Sequence, residues 1–227
     1  MSNDAGTERI PQTANREETN LPSLYATASA LAGRVLESMQ AAAGTTYCKG
    51  VQIAELTKWA KAEGFWIEDI HTLGLFSDRG SENEVYISYS GRNMFKLNDF
   101  RYSDDNLTAF FERLSAHNHY FPDCGYQLIG FAENQDHKPC AVLAQPFIVA
   151  EREATEEEIC TELDLLGFTP QKGGEYFTNG THDIFDALPN NVLMGIDGRL
   201  YFIDTIIYLS ATTNLDTYRS LSPRYSR

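Results

Sequence analysis

The sequence predicts an α+β fold with a mostly antiparallel sheet, and three observations predict it. Helical periodicity of apolar residues fills the first stretch of chain after a polar beginning. From Glu84 onward that pattern gives way to short β-prone runs separated by turn residues. Two further helical stripes interrupt those runs at irregular intervals instead of alternating with every strand, as a parallel α/β sheet would require. With 227 residues, 42% hydrophobic and 12% aromatic, the chain can bury the core of one large domain or two small lobes.

Residues 1–20 are polar and read as a disordered tail. A helix is expected from Leu21-Pro22, with Leu24, Ala28, Leu31, Val35 and Met39 on one face and Gly44 as its stop. A second helix presents Ile53, Leu56, Trp59 and Ala60 and stops at Gly64. EVYISYS alternates Val85, Ile87 and Tyr89 against Glu84, Tyr86 and Ser88, as a half-buried strand does. Gly91-Arg92-Asn93 turns the chain into a returning strand, MFKL. Asp104-Asp105-Asn106 opens a helix whose Leu107, Phe111 and Leu114 share a face. YQLIGFA and CAVLAQPFIVA, parted by a polar loop, read as an antiparallel pair. Thr155 and Glu158 form a capping box before a stripe of Ile159, Leu163 and Leu166, with Gly167 as the cap. YFTNGTHDIF turns at Asn179-Gly180 as a hairpin and leads into a second hairpin, NVLM and RLYFI.

The formal net charge of −14 argues against general nucleic-acid binding, which needs Lys and Arg to neutralise phosphates. Four cysteines stand far apart with no C-x-x-C pair, which suits a reducing compartment. His117-Asn118-His119 is the one close histidine pair, and no second cluster completes a metal site, so these are expected on a surface or loop. Neither a signal-peptide core nor an apolar run of ~20 residues occurs. A soluble cytoplasmic protein with no membrane partner is expected.

The stretch IFDALPNNVLMGIDGRLYFIDT carries four polar residues in apolar surroundings: Asp186, Asn191, Asp197 and Asp204. Asp197-Gly198 between two apolar runs is a hairpin signal, so Asp197 is a turn residue. A two-residue turn there sets Ile196 opposite Arg199 and, continued, Asn191 opposite Asp204. An amide oxygen and a carboxylate so held suit a hard cation such as magnesium, which completes its shell with water and phosphate. Asp186, beyond a Pro189 turn, is then placed to orient a hydroxyl and accept its proton. Each of the three alone also reads as an ordinary cap or turn residue.

The arrangement D-x-x-x-x-N, hairpin, Asp resembles the catalytic and metal-binding loops of protein-kinase-like phosphotransferases. More narrowly, K-L-N, L-G-F, D-x-x-P-x-N-V-L and D-G-x-L-Y-F-I-D resemble the small kinase-like domain of polyvalent proteins from phages and conjugative elements. The resemblance implies a reduced kinase-like fold: an antiparallel N-lobe over about 65–150, a short C-lobe over about 151–227, and added N-terminal helices over 21–64. It implies ATP and Mg2+ as cofactors, Asp186 as catalytic base, and Asn191 and Asp204 as metal ligands. Lys96 on MFKL would hold the nucleotide phosphates, with Glu112 of the next helix as its partner. Gly80 and Ser81 would lie in the phosphate-covering loop, which has one usable glycine, and Gln145-Pro146-Phe147 would be the adenine hinge. Ile184-Phe185 stand in place of His-Arg, Thr205-Ile206 in place of Phe-Gly, and only 23 residues follow Asp204. The acceptor is left open, as a protein or a small molecule bearing a hydroxyl.

Three readings follow: an ATP- and magnesium-dependent phosphotransferase, a catalytically inactive kinase-like interaction protein of a mobile element that keeps nucleotide binding, and a structural α+β domain whose polar residues are only caps and turns. Convergence of Lys96, Asn191 and Asp204 on one cleft separates the first two from the third.

Overall fold

The computed structural model describes residues 23–103, 105–171, 176–212, 214 and 216. The expected tail over 1–20, the helix start at Leu21-Pro22 and the cap residue Asp104 lie outside the described residues.

The chain runs α1 (Leu24–Ala43), α2 (Lys49–Glu63), β1 (Gly74–Arg79), β2 (Asn83–Ser88), β3 (Asn93–Asn98), α3 (Thr108–Tyr120), β4 (Gln127–Glu133) and β5 (Pro139–Pro146). It continues through β6 (Ala150–Glu153), α4 (Glu156–Leu165), β7 (Thr169–Pro170), β8 (Tyr176–Thr178), β9 (His182–Phe185), β10 (Val192–Gly195), β11 (Leu200–Phe202) and β12 (Ile206–Leu209). These strands pair antiparallel throughout, in sheets ordered β1-β2-β3-β5-β4, β11-β10-β6 and β12-β9-β8-β7. The α+β class and antiparallel sheet are those the sequence predicts.

Local chemistry explains the helix ends. Ser23 Oγ accepts from the Ala26 N–H at 3.1 Å, and Gly44 and Gly64 stop α1 and α2 in the left-handed region that L side chains avoid. The Thr155/Glu158 capping box forms in both directions. Within the helical layer, buried Gln52 donates to Ala32 O at 2.9 Å and accepts from the Leu107 N–H at 2.8 Å. One amide thereby ties α1, α2 and the start of α3 together, and Ala28, Leu56, Phe110 and Leu143 pack around it against the sheet.

β2 alternates as expected, but its deeper side is Glu84, Tyr86 and Ser88, while Tyr89 is exposed. The 3₁₀ turn at Ile70–Thr72 accounts for this: its Ile70 clusters with Tyr86, Phe95, Leu97 and Val142 on the outer face of the sheet. Glu84 is tolerated there because its carboxylate accepts from the Gln135 N–H at 3.1 and 3.3 Å. The other face carries Lys96, opposite Val85 on one side and Leu143 on the other.

Two expectations are corrected, and one strand is added. α3 runs on to Tyr120, so His117 lies in its last turn, buried, and not on a loop. β12, unforeseen, pairs with β9 from Ile206–Phe185 to Leu209–His182. The β10–β11 hairpin pairs Val192 with Phe202 and Met194 with Leu200, one residue away from the expected register. Its loop has three residues: the Gly195 N–H donates to Arg199 O at 2.9 Å, and Gly198 alone takes a left-handed φ, 78°. A two-residue type I′ turn would have required positive φ at Asp197 as well. Instead the Asp197 carboxylate accepts from Arg199 Nε and the Tyr201 hydroxyl, both at 2.7 Å.

The C-terminal sheets share a core of Ile159, Leu163, Phe168, Phe177, Ile184 and Phe202. Beside it Asp183, 1% exposed, accepts from Thr178 Oγ1 at 2.6 Å, Ser210 Oγ at 2.7 Å and Asn214 Nδ2 at 2.7 Å. Asp183→Ala removes the shared acceptor of three donors and is expected to cost about 3 kcal/mol, a Tm drop of roughly 5–10 °C by calorimetry. A drop under about 2 °C would show that the network is rebuilt by water.

Candidate functional site

β3 delivers Lys96 to the inner face of the five-stranded sheet, where it is 5% exposed. All three ammonium donors find partners: Ile203 O at 2.8 Å, Asp204 Oδ1 at 3.2 Å and Tyr126 Oη at 3.4 Å. Burial opposes the charge, but the Asp204 carboxylate and the Tyr126 hydroxyl outweigh it and hold the Lys96 pKa above the ordinary lysine value. Burial also pushes Tyr126 up to about 12, so it remains a neutral donor.

The segment 202–204 is pinned from the sheet and from α3. Ile203 O also accepts from Tyr126 Oη at 2.8 Å and Gln145 Nε2 at 3.1 Å, and Phe202 O accepts from His117 Nε2 at 2.7 Å. His117 therefore carries its proton on Nε2, and its buried Nδ1 has no hydrogen-bond partner among the described residues. Burial lowers its pKa to about 4. The unfolded chain then binds the extra proton more readily, so stability falls as pH drops from about 6.5 to about 4. Urea unfolding at pH 7 and pH 4.5 is expected to differ by about 2–3 kcal/mol on this account, and His117→Gln should remove that share.

Asp186 follows β9 with φ 58°, a left-handed conformation that Asp adopts more readily than most residues. Asn191, 7% exposed, donates its amide to Asp186 O at 2.9 Å and accepts from Asn190 Nδ2 at 2.8 Å. The register correction removes the expected Asn191–Asp204 pairing: the residue facing Asn191 is Ile203, whose N–H donates to Asn191 O at 2.9 Å. β12 supplies a different link, since its pairing with β9, continued one position, sets Asp186 opposite Thr205. Asp186, Asn191 and Asp204 thus belong to three adjoining segments, while the direct pair in the cleft is Lys96–Asp204.

Other expectations change. Glu112 is exposed on the far face of α3, beside His119 and His182, and does not reach Lys96. The helix turns Arg113 to the cleft instead, where it grips Glu82 of the β1–β2 turn at 2.9 and 3.3 Å. Gly80 and Ser81 are exposed in that turn, and the Gly80 N–H is engaged in closing it on Asn83 O at 2.8 Å. Gln145 is a buried strut joining Cys124 O and Ile203 O by its side chain, and the Phe147 N–H, expected free for a base, donates to Arg92 O at 2.9 Å. Among the described residues no group of three or more His, Cys, Asp or Glu could hold a metal ion.

Tyr126, His117, Arg113 and Glu82 were not foreseen. For His117 a signal existed, because it continues the Leu107, Phe111, Leu114 stripe by one helical step.

The family model described as serine/threonine/tyrosine kinase found in polyvalent proteins matches residues 49–211. No curated protein matches the chain. No helix of the described residues is long and apolar enough to cross a membrane.

Proposed function

The chain belongs to the family of serine/threonine/tyrosine kinases found in polyvalent proteins, and from that premise we propose that it transfers the γ-phosphoryl group of ATP, with Mg2+, to a hydroxyl acceptor. The observation that carries this reading is the Lys96–Asp204 pair, 3.2 Å apart with the lysine buried and the carboxylate half exposed. It places a cation suited to phosphate beside an oxygen donor open to solvent.

In this reading Lys96 holds the α- and β-phosphates. Val85 and Ile87 of β2, with Met94 of β3, form the half-buried apolar surface for the adenine, since all three share the sheet face of Lys96. Asp204 and Asn191 are the oxygen donors for magnesium, and their chemistry fits a cation that keeps several waters and binds one or two protein oxygens. Bound magnesium supplies charge neutralisation at the phosphates. Asp186 orients the acceptor hydroxyl and takes its proton, in a backbone conformation that Asn191 braces through the Asp186 carbonyl.

A second reading is a nucleotide-binding relative without transfer activity. The single glycine of the phosphate-covering loop, Gly80, and Ile184-Phe185 in place of His-Arg before Asp186 favour it.

A thermal melt with saturating ATP tests both. Binding at a hundredfold excess over Kd should raise Tm by roughly 5–10 °C, and only with magnesium present. No rise overturns both readings. Transfer of labelled γ-phosphate to the protein or to added hydroxyl acceptors then separates the enzyme from the relative.

A further inference from the structure

We propose that Arg113 is a second phosphate-binding cation of this cleft and that Glu82 is an internal carboxylate which competes with phosphate for it. The inference rests on the reading that the cleft takes a nucleotide, and it names a residue that this reading does not require.

Glu82 and Arg113 line the same cavity as Lys96 and Asp204. Both are largely buried, with side chains 11% and 12% exposed. Two parallel contacts, at 2.9 and 3.3 Å, join the guanidinium fork to both carboxylate oxygens. Two oxygens of a phosphate present the same geometry to that fork, so one anion can replace the other without leaving a buried guanidinium unpaired. The position of Arg113 does not depend on Glu82 alone, because the guanidinium also lies over the Tyr208 ring of β12, 5.6 Å from its centroid.

The room available makes the competition necessary. The cavity between these side chains is about 20 Å³, enough for one water and far too small for a phosphate chain. Glu82 sits in the β1–β2 turn, the short connection above the sheet, while Arg113 is fixed in the middle of α3. Of the two, the turn carboxylate is the one able to swing to solvent. Asn83 next to it stays anchored by Asn98 Nδ2 at 3.0 Å, so the loss of the Glu82 contact need not unfold the strand. Formal charge in the cavity is balanced, Lys96 and Arg113 against Glu82 and Asp204. Moving Glu82 out leaves one uncompensated positive charge, which a triphosphate satisfies and adenosine does not.

The test is calorimetric titration of the full chain, with magnesium, using ATP and adenosine as probes. Glu82→Gln should bind ATP about tenfold more tightly than wild type, and Arg113→Gln about tenfold more weakly, with adenosine affinity unchanged in both. The double variant should match Arg113→Gln, because the gain from Glu82→Gln needs the guanidinium. Unaltered ATP affinity in Glu82→Gln overturns the inference, as does a gain that survives in the double variant. If Arg113→Gln does not fold, Arg113→Lys keeps the charge without the fork and should lose the gain. Unaltered ATP affinity in these variants together with loss of binding in Lys96→Met overturns the inference and leaves the kinase reading standing. Absence of ATP binding in both wild type and Glu82→Gln overturns the two together.

Discussion

Asp204→Ala is expected to lower phosphoryl transfer by about a thousandfold and to abolish the magnesium dependence of ATP binding. One fixed charge aimed at a reacting phosphoryl group contributes on that order, since positioning and charge neutralisation supply most of the catalysis. The same substitution removes the carboxylate partner of buried Lys96, leaving the ammonium with Ile203 O and the Tyr126 hydroxyl. Because the Asp204 side chain is 45% exposed, solvent screens the pair and the stability cost should be about 1–2 kcal/mol, well below that of a fully enclosed pair. Lys96→Met in the Asp204→Ala background should recover that loss, since it removes the uncompensated charge, yet it should not restore transfer. Denaturant unfolding of the four members of this cycle, beside their transfer rates, checks both halves. A double variant less stable than Asp204→Ala alone would contradict the charge argument.

Asp186→Asn is expected to lower kcat by about 10²- to 10⁴-fold while leaving ATP affinity within about twofold of wild type. The asparagine keeps the size of the side chain and tolerates the left-handed φ of 58°, but it cannot accept the hydroxyl proton. Asp186→Ala should behave alike in kcat and lose about 1 kcal/mol more in stability, because alanine adopts that backbone conformation poorly. Single-turnover transfer and nucleotide titration on the two variants separate the chemical from the conformational effect. Equal loss of ATP binding and of kcat would place Asp186 on the nucleotide instead of the acceptor.

Much of the fold was legible because local signals decided it. Gly44, Gly64 and the Thr155/Glu158 box mark helix ends by chemistry within a few residues, and tertiary context had nothing to overrule. β1 was not legible, since only Leu75 and Phe76 of its six residues are large apolar side chains, and both face solvent. β12 depends on β9, a pairing set by the folded chain and not by its own four residues.

In the site, residue types were legible and partnerships were not. Lys96 and Asp204 were singled out, yet the expected partner of Lys96 was Glu112, which its helix turns to the far face; Asp204, more than a hundred residues on, holds the lysine. The Asn191–Asp204 expectation failed by one residue, because Asp197-Gly198 fits a three-residue loop as well as a two-residue one. The backbone partner of Asn191 is therefore Ile203, with Asp204 one residue beyond it.

The central claim is that the nucleotide phosphates sit between Lys96 and Asp204. A crystal structure with magnesium and a non-hydrolysable ATP analogue tests it most directly. The predicted result is phosphate density within hydrogen-bond distance of Lys96 Nζ, a cation on Asp204 and the Asn191 amide oxygen, and the Glu82 carboxylate withdrawn from Arg113. Analogue bound elsewhere, with the Lys96–Asp204 contact still closed at 3.2 Å, would contradict it.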